Sequence, residues 1–105
     1  DLLEQDHGFV QELLADFSVD LPQRTAAMRA ALTAGDDAGL RMAAHALKGS
    51  AAALGAHDLS AAAAALEAVA EEGRLDAAPD LLDRVVTEAE RVVEAIGELR
   101  LRDAA

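Results

Sequence analysis

Cysteine is absent from the chain, so neither a disulfide framework nor a thiolate metal site is available. That absence fits a reducing cytoplasm. Tryptophan and tyrosine are missing too, and Phe9 and Phe17 are the only aromatic rings. Strands select aromatic and β-branched residues, so a sheet would have little to be built from. Proline occurs only at Pro22 and Pro79, which leaves long stretches free of helix breakers. No apolar run is long enough to cross a bilayer and no signal peptide is visible, so membrane insertion is not expected. Cations are scarce: 9 Lys and Arg stand against 20 Asp and Glu, for a formal net charge of −11. Such a surface repels nucleic-acid phosphates and anionic lipid, and suits a protein partner with a complementary face. The chain opens on Asp1 rather than methionine, which reads as a domain taken from a longer protein.

What is present is aliphatic. Hydrophobic residues make up 52% of the 105, and they are mostly Leu, Val, Ile and Ala, with alanine the commonest residue. Alanine has the highest intrinsic helix propensity, so the expected class is all-α. A chain of this length supports one core, and residues 1–105 are read as a single domain. Val10, Leu13, Leu14 and Phe17 recur at helical spacing and predict an amphipathic helix over about 5–18. Asp20 reads as the N-cap of a second helix that tolerates Pro22 in its first turn, buries Leu21, Thr25, Met28 and Leu32, and stops at Gly35. Asp36 or Asp37 then caps a helix with the stripe Leu40, Ala44, Leu47, Ala51 and Leu54, ended by Gly55. Another starts near Asp58, turns Leu59, Ala63, Leu66 and Ala70 inward, and ends at Gly73. The last begins near Asp76 or Pro79 and carries Leu82, Val85, Ala89, Val92, Ile96 and Leu99. Short turns make neighbouring helices antiparallel, so the expected architecture is an up-down four-helix bundle with an additional short N-terminal helix.

Three histidines occur, at positions 7, 45 and 57, and only His45 sits mid-helix in a defined setting. Helical phase separates it from the core stripe and places it with Arg41, Lys48 and Ala52. A stripe bearing two cations faces water, so the imidazole is expected at the surface with Lys48 one turn on. Gly49 follows in the same helix, where glycine costs about 0.5–1 kcal/mol relative to alanine. Two explanations stay open for it: close packing of a neighbouring helix, or room for a bulky partner to reach the ring. His57 beside Asp58 reads as a turn or cap residue, and His7 as a terminal residue without a role. Histidines on separate elements give little support to a metal-dependent hydrolase, and no metal site is expected.

The segment Ala44-His45-Ala46-Leu47-Lys48-Gly49-Ser50-Ala51, then Leu54-Gly55-Ala56 and Leu66-Glu67, resembles the signature of histidine-containing phosphotransfer domains. The likeness runs from about Phe9 to Leu99 in the expected helix order. It departs mildly at Ala46 and Ala53, where polar residues are common. The resemblance implies a phosphorelay intermediate that takes a phosphoryl group on His45 and exchanges it with the aspartate of a response-regulator receiver. Lys48 would offset the added negative charge. Arg41, Ala44, Gly49, Ser50 and Ala52 would form the docking surface, with Ser50 bonding a carbonyl one turn back. The domain would be a covalent carrier rather than an enzyme, without a cofactor of its own, since the receiver brings the Mg²⁺. A histidine kinase or hybrid kinase is the other implied partner, and a monomer the implied state. Two variants share this chemistry or this surface: the acceptor domain of a larger chemotaxis-type or hybrid kinase, and an adaptor that binds receivers without transferring phosphate.

Overall fold

The computed structural model describes the backbone of residues 2–104 and the side chains of residues 8–104. His7 therefore lies outside the described side chains. Among the described residues the chain forms four α-helices and no strand: α1 (Leu2–Thr33), α2 (Asp37–Ala53), α3 (His57–Glu71) and α4 (Ala78–Ala104). Each helix packs on its neighbour in the chain, and α4 packs back on α1.

The expected separate N-terminal helix is corrected by this structure. It and the second expected helix are one element, and Pro22 lies inside it. Asp20 is not a cap; its carboxylate accepts from Arg24 one turn on, straddling the proline. Pro22 removes the amide that would bond the Ser18 carbonyl, at a cost the helix absorbs because both flanks are anchored. Leu21 and Met28 are fully buried and Phe17 nearly so, on one continuous face. The side chain of Thr25 adds a local bond by donating to the Pro22 carbonyl at 3.1 Å.

The remaining helix limits follow the sequence punctuation. Asp36 caps α2 by accepting from the Gly39 amide at 2.9 Å. Gly35 and Gly55 bracket α2 with φ of +71° and +78°, the left-handed conformation that a side chain disfavours. At the first of these, the Gly35 amide donates to Leu32 and that of Asp36 to Ala31; at the second, Gly55 donates to Ala52 and Ala56 to Ala51. These paired bonds satisfy the orphan carbonyls of α1 and α2 in the same way. His57 is the first residue of α3, after an N-cap at Ala56 that makes no side-chain bond.

The core contains the predicted stripes of α2 and α3 in full up to their last turns: Leu40, Ala44, Leu47 and Ala51, then Leu59, Ala63, Leu66 and Ala70. Ala62 and Val69 widen the α3 face. Among the described residues no polar side chain is buried. Burying each of the leucines contributes about 1.5–3 kcal/mol.

Three residues expected inside the core are corrected. Val10, Leu13 and Leu99 are 44%, 42% and 45% exposed. The reason is length. At 1.5 Å per residue, α1 spans about 48 Å and α2 about 26 Å, and the molecule is 50 Å long. The outer turns of α1 and α4 outrun α2 and α3, so their inward stripes continue where no opposing helix covers them. Gln11 donates to Asp103 across that end and ties the two long helices together.

Replacing Pro22, which is exposed, with alanine should restore the missing helical bond and raise stability by about 1–3 kcal/mol. Urea unfolding monitored by circular dichroism checks this. A midpoint unchanged or lowered would mean that the helix starts afresh at Pro22 in solution.

Candidate functional site

The site is built where α2 and α3 approach closely. Both helices bury alanines, Ala44 and Ala51 on one and Ala62 and Ala63 on the other. Their closeness is visible at Ser60, whose hydroxyl on α3 donates to the backbone carbonyl of Lys48 on α2 at 3.0 Å. Seven residues along α3 from Ser60, and so on the same face, stands Glu67.

Glu67 reaches α2 with both carboxylate oxygens. Oε2 lies 2.6 Å from His45 Nδ1, and Oε1 accepts from Lys48 Nζ at 2.6 Å. His45 and Lys48 are three residues apart, adjacent on one helix face, so a single carboxylate spans them. The imidazole is 68% exposed and the Glu67 side chain 16%. The hydrogen bond from Lys48 is the main cause that holds the Glu67 carboxyl below the usual carboxylate range. Partial desolvation opposes it, and the bond to His45 adds to it.

The electrostatics fix the tautomer. A carboxylate in that range is ionised at neutral pH and can only accept, so Nδ1 carries the proton and donates to it. In the neutral ring the lone pair is then on Nε2, for which no hydrogen-bond partner occurs among the described residues. An exposed imidazole with one nitrogen tied down and the other bearing a free lone pair is a positioned nucleophile.

Gly49 clarifies the choice left open by the sequence. A Cβ built at that position meets nothing within 4 Å. Close packing within this chain therefore does not require the glycine, and the exposed surface beside His45 is open there. Residues 12–99 match the family model described as Hpt domain. The chain belongs to the Hpt domain family. Hpt domains are phosphotransfer intermediates of two-component signalling, phosphocarrier modules that interact with histidine kinases and response regulators. The crystal structure of histidine-containing phosphotransfer protein B (HptB) from Pseudomonas aeruginosa PAO1 is similar, with a TM-score of 0.89 and 34% sequence identity. That match covers 96% of this chain and 88% of HptB. No curated protein matches the chain.

Of the residues singled out in the sequence, this Hpt domain brings His45 and Lys48 together and leaves Arg41, Gly49 and Ala52 exposed on α2. Ser50 donates to the Ala46 carbonyl one turn back at 3.1 Å. Ala44 is corrected: it is fully buried in the core, so it offers nothing to a docking partner. Glu67 and Ser60 join the site from α3; neither had a role assigned from sequence, although Glu67 belongs to the quoted signature. A signal for the first existed, since Glu67 is the sole acidic residue between Asp58 and Glu71 in an alanine-rich helix. Among the described residues no helix is long and apolar enough to cross a membrane. No group of three or more His, Asp or Glu that could hold a metal occurs among them either.

The depressed carboxyl of Glu67 makes a pH prediction. Its folded-state pKa lies below the unfolded value, so its contribution is complete above the unfolded pKa and is lost as pH falls through the folded one. Glu67→Gln should therefore be less stable than wild type by a constant margin near neutrality, with the margin closing below about pH 4. Chemical denaturation at a series of pH values checks this. A margin that does not vary with pH would mean that the bridge adds no electrostatic stability.

Proposed function

We propose that His45 is the phosphoacceptor of a phosphorelay intermediate and exchanges its phosphoryl group with the aspartate of a response-regulator receiver domain. The observation that carries this reading is the exposed imidazole whose Nδ1 is held by Glu67, leaving the Nε2 lone pair directed to chemistry. In the forward step the Nε2 lone pair attacks the phosphorus of the receiver's aspartyl phosphate. An Nε2–P bond forms, the P–O bond to aspartate breaks, and the aspartate leaves as a carboxylate. The ring gains positive charge as it attacks, and the Glu67 carboxylate beside the Nδ1 proton stabilises that charge. Glu67 is thus a positioning residue as well as a local counter-charge. Lys48, already in contact with it, offsets the negative charge that the phosphoryl group brings.

Phosphoryl transfer needs a metal ion to neutralise developing charge on the equatorial oxygens. Both oxygens of Glu67 are engaged by His45 and Lys48, so the Mg²⁺ is assigned to the receiver's acidic pocket. The domain holds the phosphoryl group covalently and hands it on, with a histidine kinase or hybrid kinase as the upstream partner. We further assign it as one monomeric domain over residues 1–105, an up-down antiparallel bundle whose α2 face carries the exchange.

Incubation with a panel of phosphorylated receivers tests the reading. Acid-labile, base-stable label should appear on the wild type and be absent from His45→Gln. That substitution is exposed and should change stability by no more than about 0.5 kcal/mol. Binding to receivers without any label on the wild type would favour the adaptor role instead.

Gly49→Leu fills the open space beside the ring. It should slow exchange with receivers at least tenfold, an effect of about 1.4 kcal/mol, while leaving the fold intact. Unchanged exchange rates would remove the role assigned to the glycine.

A further inference from the structure

Past its first turn, α2 carries charge of one sign. From Ala38 to His57 the sequence contains no Asp or Glu, although the chain holds 20. The exposed side of α2 offers Arg41 and the His45–Lys48 pair instead. Asp37, in the first turn, is the one carboxylate of α2, two turns before His45, so a partner that brings a carboxylate to the ring meets none on this helix beside it.

Met42 stands on the same face. It is 67% exposed and is the only large apolar side chain of α2 that is exposed. Among the described side chains, the other exposed large apolar residues all lie on α1 and α4. Met42 precedes His45 by three residues, about 4.5 Å along the axis and about 60° around it. Its neighbours at four residues before and after are Ala38 and Ala46, both exposed and both too short to cover it. The outer face of α2 is therefore low, with one apolar side chain projecting beside the imidazole.

A receiver that transfers to His45 must place phosphorus about 3–3.5 Å from Nε2. A protein surface seated that close also covers the turn before the histidine. Methionine is enriched at the centres of protein interfaces, and its unbranched thioether adapts to pockets of different shape.

We propose that Met42 is the docking anchor of this domain, inserting into an apolar cleft that the receiver presents next to its phosphorylated aspartate. This rests on the reading of His45 as the acceptor. The anchor sets how tightly a receiver binds, while His45, Glu67 and Lys48 set the chemistry. The receiver occupant is favoured by continuity with the acceptor, which only the transferring partner touches, and by charge, since the rim is cationic and the receiver brings the acidic group.

The test separates docking from chemistry by using two phosphodonors. Phosphoramidate is small and needs no docking surface; its P–N bond breaks and ammonia leaves as the Nε2–P bond forms. Wild type, Met42→Ala and Met42→Leu should be labelled by phosphoramidate at equal rates. Transfer from the labelled chain to a receiver that exchanges with wild type should then show, for Met42→Ala, a KM raised about tenfold, the usual scale of losing one anchor side chain. The limiting rate should stay within about twofold, and Met42→Leu should behave close to wild type because it conserves volume. An unchanged KM in Met42→Ala overturns the anchor and leaves the acceptor reading standing. A loss of phosphoramidate labelling equal to the loss of transfer also overturns it, since the defect would then lie at the imidazole. Failure of phosphoramidate to label the wild type at His45 overturns the acceptor reading itself, and the anchor with it.

Discussion

One carboxylate, reaching across from α3 to α2, holds the candidate centre in place. Glu67 accepts a hydrogen bond from Nδ1 of His45 on one oxygen and from the Lys48 ammonium on the other. Without it, an exposed imidazole on a solvated helix face would sample rotamers and both tautomers. With it, one nitrogen is committed to a hydrogen bond and the other keeps its lone pair. The bridge needs α2 and α3 at short range. That requirement runs back to the alanines buried on both helices, and to Ser60, which bonds the backbone of α2 two turns away. The small-residue core thus serves the site as well as the fold. Larger side chains at Ala44 or Ala63 would push the helices apart and take Glu67 out of reach.

The rest of the molecule is a scaffold that makes this arrangement affordable. Its cores of leucine and alanine contain no buried polar side chain among the described residues, so nothing in the interior competes for Glu67 or Lys48. The long helices α1 and α4 close the far side. Their outer turns extend past α2 and α3, which explains why apolar residues at that end remain in contact with solvent. The proposed chemistry needs only one face of one helix, together with the carboxylate that reaches it from the next. Such an arrangement suits a carrier whose partner supplies the metal and the other reacting group.

Much of this was legible in the sequence, for identifiable reasons. The stripe Leu40, Ala44, Leu47 and Ala51 has an unambiguous period, and Gly35 and Gly55 mark turns whose backbone conformation favours glycine. Phase alone placed His45 off that stripe and at the surface. Other features escaped. Asp20 and Pro22 imitate a helix start locally, whereas the burial of Leu21 and Met28 on one face, a tertiary effect, keeps α1 continuous. Val10, Leu13 and Leu99 keep the helical period beyond the point where α2 and α3 end, and a local pattern does not contain the length of its neighbours. Glu67 depends on which face of α3 meets α2, and in a helix with alanine at almost every small position that face is poorly marked. Ala44 was placed both in the core and on the rim, and burial assigns it to the core alone.

The most direct test of this account is the position of the phosphoryl group on the ring. Nitrogen-15 and phosphorus NMR of the chain labelled with phosphoramidate distinguishes the two imidazole nitrogens. The account predicts phosphorus bonded to Nε2 of His45, with a proton retained on Nδ1 and its resonance altered in Glu67→Gln. Phosphorus on Nδ1 would contradict it, because the nitrogen held by Glu67 would then be the one that reacts.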